Sequence, residues 1–144
     1  MIAEGSFEVA SPVVIPSIEA RLTGVKFWEE PKGKVAKADR KFASSFNSNE
    51  ARYIGVMLEF DKPAGGRRIS IQVSCTRYWP DGKVLGTQTD AFDPDPEWTA
   101  FTWTPTEGGL GWAEPGNYQP GEYRVECSVD GKVIAKGSFL VKRE

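Results

Sequence analysis

The chain has 144 residues, enough for one domain with a substantial core, and its net charge of −2 gives no reason to expect a nucleic-acid partner. It contains no histidine, which removes Ser-His-Asp and Cys-His nucleophile systems, His general acid–base catalysis and nearly every zinc site. Two cysteines are too few for a thiolate zinc site, no cofactor motif is present, and no apolar run approaches the roughly 20 residues of a membrane span.

Residues 1–17 carry two prolines, Pro12 and Pro16, and little periodicity. They read as an extended lead-in or linker, in which Val13, Val14 and Ile15 can dock as an edge strand, where proline is tolerated. The start has neither a basic n-region nor an apolar h-region, so no signal peptide is recognised. This leaves the compartment open: cytoplasmic as written, exported if a leader has been trimmed.

The domain proper is expected over 18–144. Ile18–Trp28 alternates at Ile18, Ala20 and Leu22, then shifts phase to Val25 and Phe27, with Gly24 marking a bulge. Glu30–Arg40 is a charged loop. Lys41–Phe46 is a short strand with Phe42 and Phe46 two pleats apart. Ala51–Phe60 places Ile54, Val56, Leu58 and Phe60 on one face. Lys62–Gly66 breaks that strand. Arg68–Trp79 turns Ile69, Ile71, Val73 and Cys75 inward and Ser70, Gln72, Ser74 and Thr76 outward. Pro80-Asp81-Gly82 is a turn, after which Lys83–Thr89 pairs back. Asp90–Glu97 is an acidic, proline-rich loop and Trp98–Trp103 a strand. Pro105–Pro120 is a long connection. Glu122–Val129 and Lys132–Lys142 then form a hairpin around Asp130-Gly131.

Seven to eight half-buried strands separated by turn chemistry, with no amphipathic helix, predict an all-β antiparallel sandwich, with a closed barrel as the structural alternative. The ending strengthens the sandwich. Gly111, Trp112, Pro115, Gly116, Tyr118, Pro120, Gly121, Tyr123, Val125, Asp130, Gly131, Lys132, Ala135, Gly137, Phe139 and Val141 form a pattern that resembles the close of bacterial immunoglobulin-like accessory domains. The resemblance implies a sandwich, a place beside other domains and a non-catalytic role; it supplies no ligand and no functional residues. Within it, Tyr123 matches the tyrosine of a Greek-key corner, its ring buried and its hydroxyl near backbone. Antibody domains place a cysteine two residues after that tyrosine. Here Cys127 comes four after it, which argues against an antibody-type disulfide. Cys75 and Cys127, each on an apolar strand face, are expected as buried free thiols, with a structural disulfide in an exported domain as the alternative. Trp112 is expected to pack over the end of the sandwich.

Charge is uneven along the chain. Eleven Lys/Arg face six Asp/Glu over 21–68, and two face nine over 81–126. Pairing between these segments is the expected outcome, and a polarised surface the alternative. Arg67-Arg68 and the lysines of 32–41 read as solvated loops. The carboxylates Asp90, Asp93, Asp95 and Glu97 match no calcium-loop signature.

These features favour a non-enzymatic module for protein–protein contact or spacing, with a partner the sequence does not identify. A carbohydrate-binding module is the alternative, using exposed aromatics; the candidates for a ligand or partner surface are Tyr53, Tyr78, Trp98 and Tyr118. A small hydrolase is the least supported reading, because no carboxylate pair is set at the separation glycoside hydrolysis requires.

Overall fold

The computed structural model describes residues 5–9, 14–15, 20–30, 40–61, 70–95, 97–105 and 109–143; for 5–9 and 14–15 it describes the backbone alone. The expectations for the Lys62–Gly66 break, for Arg67-Arg68 and for most of the 31–41 basic stretch lie outside the described residues.

Among the described residues the chain forms strands β1 (Gly5–Val9), β2 (Val14–Ile15), β3 (Ala20–Glu30), β4 (Ser45–Asn47), β5 (Tyr53–Asp61), β6 (Ile71–Tyr78), β7 (Val84–Phe92), β8 (Ala100–Trp103), β9 (Leu110–Gly111), β10 (Gly121–Val129) and β11 (Lys132–Lys142). They make two sheets. The six-stranded sheet runs β1-β11-β10-β6-β7, with β4 also on β11; the five-stranded sheet runs β2-β3-β5-β8, with β9 also on β5. All pairings are antiparallel except β4 on β11. With β3, β5 and β8 as strands A, B and E, and β6, β7, β10 and β11 as C, C′, F and G, the order is that of an immunoglobulin-like sandwich.

Alternation builds the core. Ile54, Val56, Leu58 and Phe60 of β5 face Ile71, Val73 and Cys75 of β6 and Tyr123, Val125, Cys127 and Val129 of β10, all buried. Each large aliphatic side chain so buried contributes roughly 1.5–3 kcal/mol. The phase shift in β3 is a bulge between Leu22 and Gly24, as the sequence indicates. The described parts of the lead-in are paired strands: β1 lies on β11 and β2 on β3.

Two strands differ from expectation in an instructive way. Phe42 and Phe46 do not share a sheet. The Ala43 N–H donates to the Phe27 carbonyl, and the Leu140 N–H donates to the Ser44 carbonyl. The chain therefore crosses between sheets at this point, leaving Phe42 outside against Trp28 and Phe46 in the core against Phe139. β7 runs to Phe92, three residues past its expected end, so Asp90 belongs to a strand.

The corner motif forms as expected. Tyr123, two residues into β10, is fully buried, and its hydroxyl donates to the Gln119 carbonyl at 2.8 Å. Burial pushes its phenol well above the ordinary tyrosine range. Trp112 lies partly buried, 5.8 Å from Trp79 and 5.1 Å from Tyr118 between ring centroids. The free-thiol expectation is overturned. Cys75 and Cys127 are register partners on β6 and β10, with Cα atoms 4.1 Å apart, and form a disulfide. The bond joins neighbouring strands of one sheet rather than crossing the sandwich, because both cysteines lie on the C and F strands.

Candidate functional site

The two outer faces of the sandwich are built differently. On the five-stranded sheet, Trp28 lies across Gly55, and the Arg40 guanidinium stacks 4.1 Å above the indole. Arg40 also donates to the Met57 sulfur at 3.6 Å, and Phe42 packs edge-on to Trp28. This side chain layer covers the middle of that face. Burial lowers the Arg40 pKa, and the charge of Glu30 opposes the shift.

The six-stranded sheet instead presents a polar outer face. On β10, Glu122, Arg124, Glu126 and Ser128 point outward, opposite Lys136 and Ser138 of β11 and Ser74, Thr76 and Tyr78 of β6. Glu122, Arg124, Glu126, Lys136 and Ser138 line a groove of about 260 Å³. Its lining alternates in charge, with Val125 and Gly137 completing it. Next to it the hydroxyls of Ser74 and Thr89 lie 2.8 Å apart, and those of Thr76 and Thr87 2.9 Å apart. Arg124 sits 5.1 Å from the centre of the Tyr78 ring, which orders the groove's rim.

Of the four sequence candidates, only Tyr78 belongs to this face. Tyr53 is half-buried on β5 in the other sheet. Trp98 is 42% exposed in the turn before β8, stacked on Phe92 and tilted against Phe101. Tyr118 is 1% exposed, so the reading of it as a surface residue is corrected. Its hydroxyl donates to the Leu110 carbonyl, and its ring fills the space between Trp112, Tyr123 and Phe139. The four rings do not form one strip. In the acidic loop, Asp95 accepts the Glu97 N–H at 2.9 Å and so closes its own turn. Among the described residues no group of three or more Asp, Glu or Cys is arranged to hold a metal ion. The ion pairs Arg21–Asp61 and Lys26–Glu59 both join β3 to β5, within the basic segment.

One polar cluster was not anticipated. Arg77 is buried at the inward position that follows Ile71, Val73 and Cys75. Its Nη2 donates to the side-chain Oε1 of Gln88 at 3.5 Å, while Nε and Nη1 have no hydrogen-bond partner. Burial pulls its pKa down, opposed by Tyr118 and Glu30. Glu30 is itself buried and accepts the Gly109 N–H at 2.6 Å, tying β3 to the segment that enters β9. The signal was in the sequence: the period-two register of β6 runs on into Arg77.

No family model matches this chain, and no curated protein matches it. Among solved structures it is similar to an immunoglobulin-like protein, PA1606, from Pseudomonas aeruginosa, at 12% identity over 86% of this chain and 97% of that one, with a TM-score of 0.46. It is also similar to the C-terminal domain of wzt, at 9% identity over 98% of this chain and 78% of that one, with a TM-score of 0.47.

Proposed function

We propose that this chain is a non-catalytic immunoglobulin-like module that binds a protein partner on the outer face of its six-stranded sheet. The observation that carries the reading is the charge-alternating groove of Glu122, Arg124, Glu126 and Lys136. Alternating charges give register and discrimination against wrong partners more than raw affinity. The contrast between faces supports the choice, since the other sheet's outer face is occupied by Trp28, Arg40 and Phe42.

The same groove argues against hydrolysis. Glu122 and Glu126 are four residues apart on one strand, which separates their Cα atoms by roughly 13 Å. Glycosidase carboxyl pairs sit at about 5–10 Å across a cleft.

The test is capture of interacting proteins by the immobilised domain, compared with a variant carrying Arg124→Glu and Lys136→Glu. Loss of the same captured protein in the variant, with an unchanged unfolding midpoint, supports the reading. Equal capture by both proteins removes the groove from it. A polyhydroxylated ligand on this face is the second reading, favoured by the Ser74–Thr89 and Thr76–Thr87 hydroxyl pairs beside Tyr78. A glycan array showing binding that Tyr78→Ala abolishes would select it.

A further inference from the structure

The edges of the two sheets are unequally protected. Among the described residues β2 spans two, β8 four and β9 two, and the edge strand β1 five. β7 is different: it has nine residues, and β6 is its one strand partner among the described residues. Its sequence, VLGTQTDAF, contains no proline, no lysine and a single charge, Asp90. Its one irregularity lies at its start, opposite Arg77 and Tyr78. Short strands, lysines, prolines and central bulges are the devices that keep sheet edges from pairing, and β7 lacks them.

The direction of the open hydrogen-bonding groups follows from the register. Gln72 uses both its N–H and the carbonyl toward the β10 end of the sheet, bonding Asp130. Backbone groups of Val73, Cys75 and Arg77 therefore point to β7 and meet Asp90, Gln88 and Gly86. The intervening residues, Thr87, Thr89 and Ala91, direct their N–H and C=O groups away from β6, to the open edge.

We propose that this edge pairs antiparallel with β7 of a second copy of the chain, joining two six-stranded sheets into one. A two-fold axis through Gln88 sets Thr87 opposite Thr89 of the second copy, so that outward-directed backbone groups meet each other. It sets Asp90 opposite Gly86 of the second copy, so the strand's one charge meets no like charge. Thr87 and Thr89 are exposed on the outer face, and the β-branched pairs that result favour a sheet. In this two-fold arrangement the second copy's own sequence supplies both members of each Thr87–Thr89 pair and keeps Asp90 away from a like charge. An edge contact of this size falls below the area of a stable standard interface, so association is weak and depends on concentration.

Sedimentation equilibrium over a wide concentration range tests this. The wild type is expected to move from monomer toward twice the monomer mass. Thr89→Pro removes one outward N–H and no backbone bond to β6, at the cost of the Thr89 hydroxyl's contact with Ser74, and is expected to stay monomeric. Should the proline variant fail to fold, Thr87→Lys with Thr89→Lys places like charges across the axis on exposed positions and is expected to stay folded and monomeric, with a somewhat lower unfolding midpoint because the hydroxyl pairs with Thr76 and Ser74 are lost. A wild type that remains monomeric at millimolar concentration overturns the proposal. So does a dimer that the folded variants form equally well, or a monomer that pairs its edge with an unrelated peptide.

Discussion

The indole of Trp28 lies flat against Gly55. A Cβ placed on that glycine would stand 2.4 Å from the indole Cε2 and Cζ2. The two residues are register partners on β3 and β5, so the ring covers its own neighbour strand. Only a residue without a side chain permits this, and the ring in turn is the platform for Arg40.

Gly55→Ala is therefore expected to destabilise the protein by about 1–3 kcal/mol, the usual cost of overpacking. That corresponds to a fall in the melting temperature of roughly 3 °C per kcal/mol for a chain of this size. In a Trp28→Ala background the same substitution is expected to cost much less, because the two residues are in contact and their effects couple. Thermal unfolding of the four proteins of this cycle measures the difference; equal costs in both backgrounds would show that the indole is not what excludes a side chain.

Tyr123→Phe is expected to cost about 1 kcal/mol. The ring and its packing on Phe139 remain, and only the hydroxyl that donates to the Gln119 carbonyl is lost. Chemical denaturation gives the value. A neutral substitution would mean that water or another donor takes over that carbonyl.

The disulfide predicts a larger effect. Cys75 and Cys127 are 52 residues apart in sequence, and closing a loop of that length restricts the unfolded chain by about 4 kcal/mol in the chain-entropy account. Reduction, or Cys75→Ala with Cys127→Ala, is expected to lower stability by up to this amount. Mass spectrometry without a reductant shows whether the purified protein carries the bond. A fully reduced chain of unchanged stability under added reductant would mean that the paired sulfurs contribute only packing.

Most of the scaffold was legible because alternation and turn chemistry act locally. Asp130-Gly131, with φ of 50° and 85°, makes the turn its residue types demand, and Gly24 marks the bulge. What escaped was long-range. The crossover between Ala43 and Ser45 leaves no local signature, because a strand that changes sheets keeps its alternation while changing its partner. The cysteine pairing was hidden for the same reason: period-two patterning puts both residues on inner faces but does not say that their strands are neighbours. Among the candidate site residues, an aromatic in a Pro/Gly-rich segment gave no means of distinguishing a buried Tyr118 from a half-exposed Trp98. The Arg124–Glu126–Lys136 groove was missed because ordinary charged positions become a groove only when β10 and β11 are set side by side.

Glu29 gives a pH-dependent prediction. Burial raises its pKa, and Glu50 adds to the shift while Arg52 opposes it. A carboxyl whose folded pKa lies above its unfolded value binds its proton more tightly in the native state. Its ionisation therefore penalises folding at neutral pH, and the penalty is relieved as pH falls through the raised value. Glu29→Gln is expected to be slightly more stable than wild type at neutral pH, with the advantage shrinking toward about pH 4, the ordinary carboxylate range. Denaturation at both pH values tests this; an advantage that grows on acidification reverses the assigned sign.

Arg77 decides what the buried polar cluster is for. Desolvating a guanidinium is costly, and Nε and Nη1 recover none of that cost through hydrogen bonds. If the cluster serves stability alone, an apolar residue of similar length does the job at least as well. Arg77→Met is therefore expected to leave the unfolding midpoint unchanged or raise it. Arg77→Ala, which opens a cavity beside Tyr118 and Gln88, is expected to lower stability by about 3 kcal/mol. Equal losses in both variants would show instead that the charge itself, beside the carboxylate of Glu30, fixes how the segment around Gly109 and Leu110 closes the end of the sandwich.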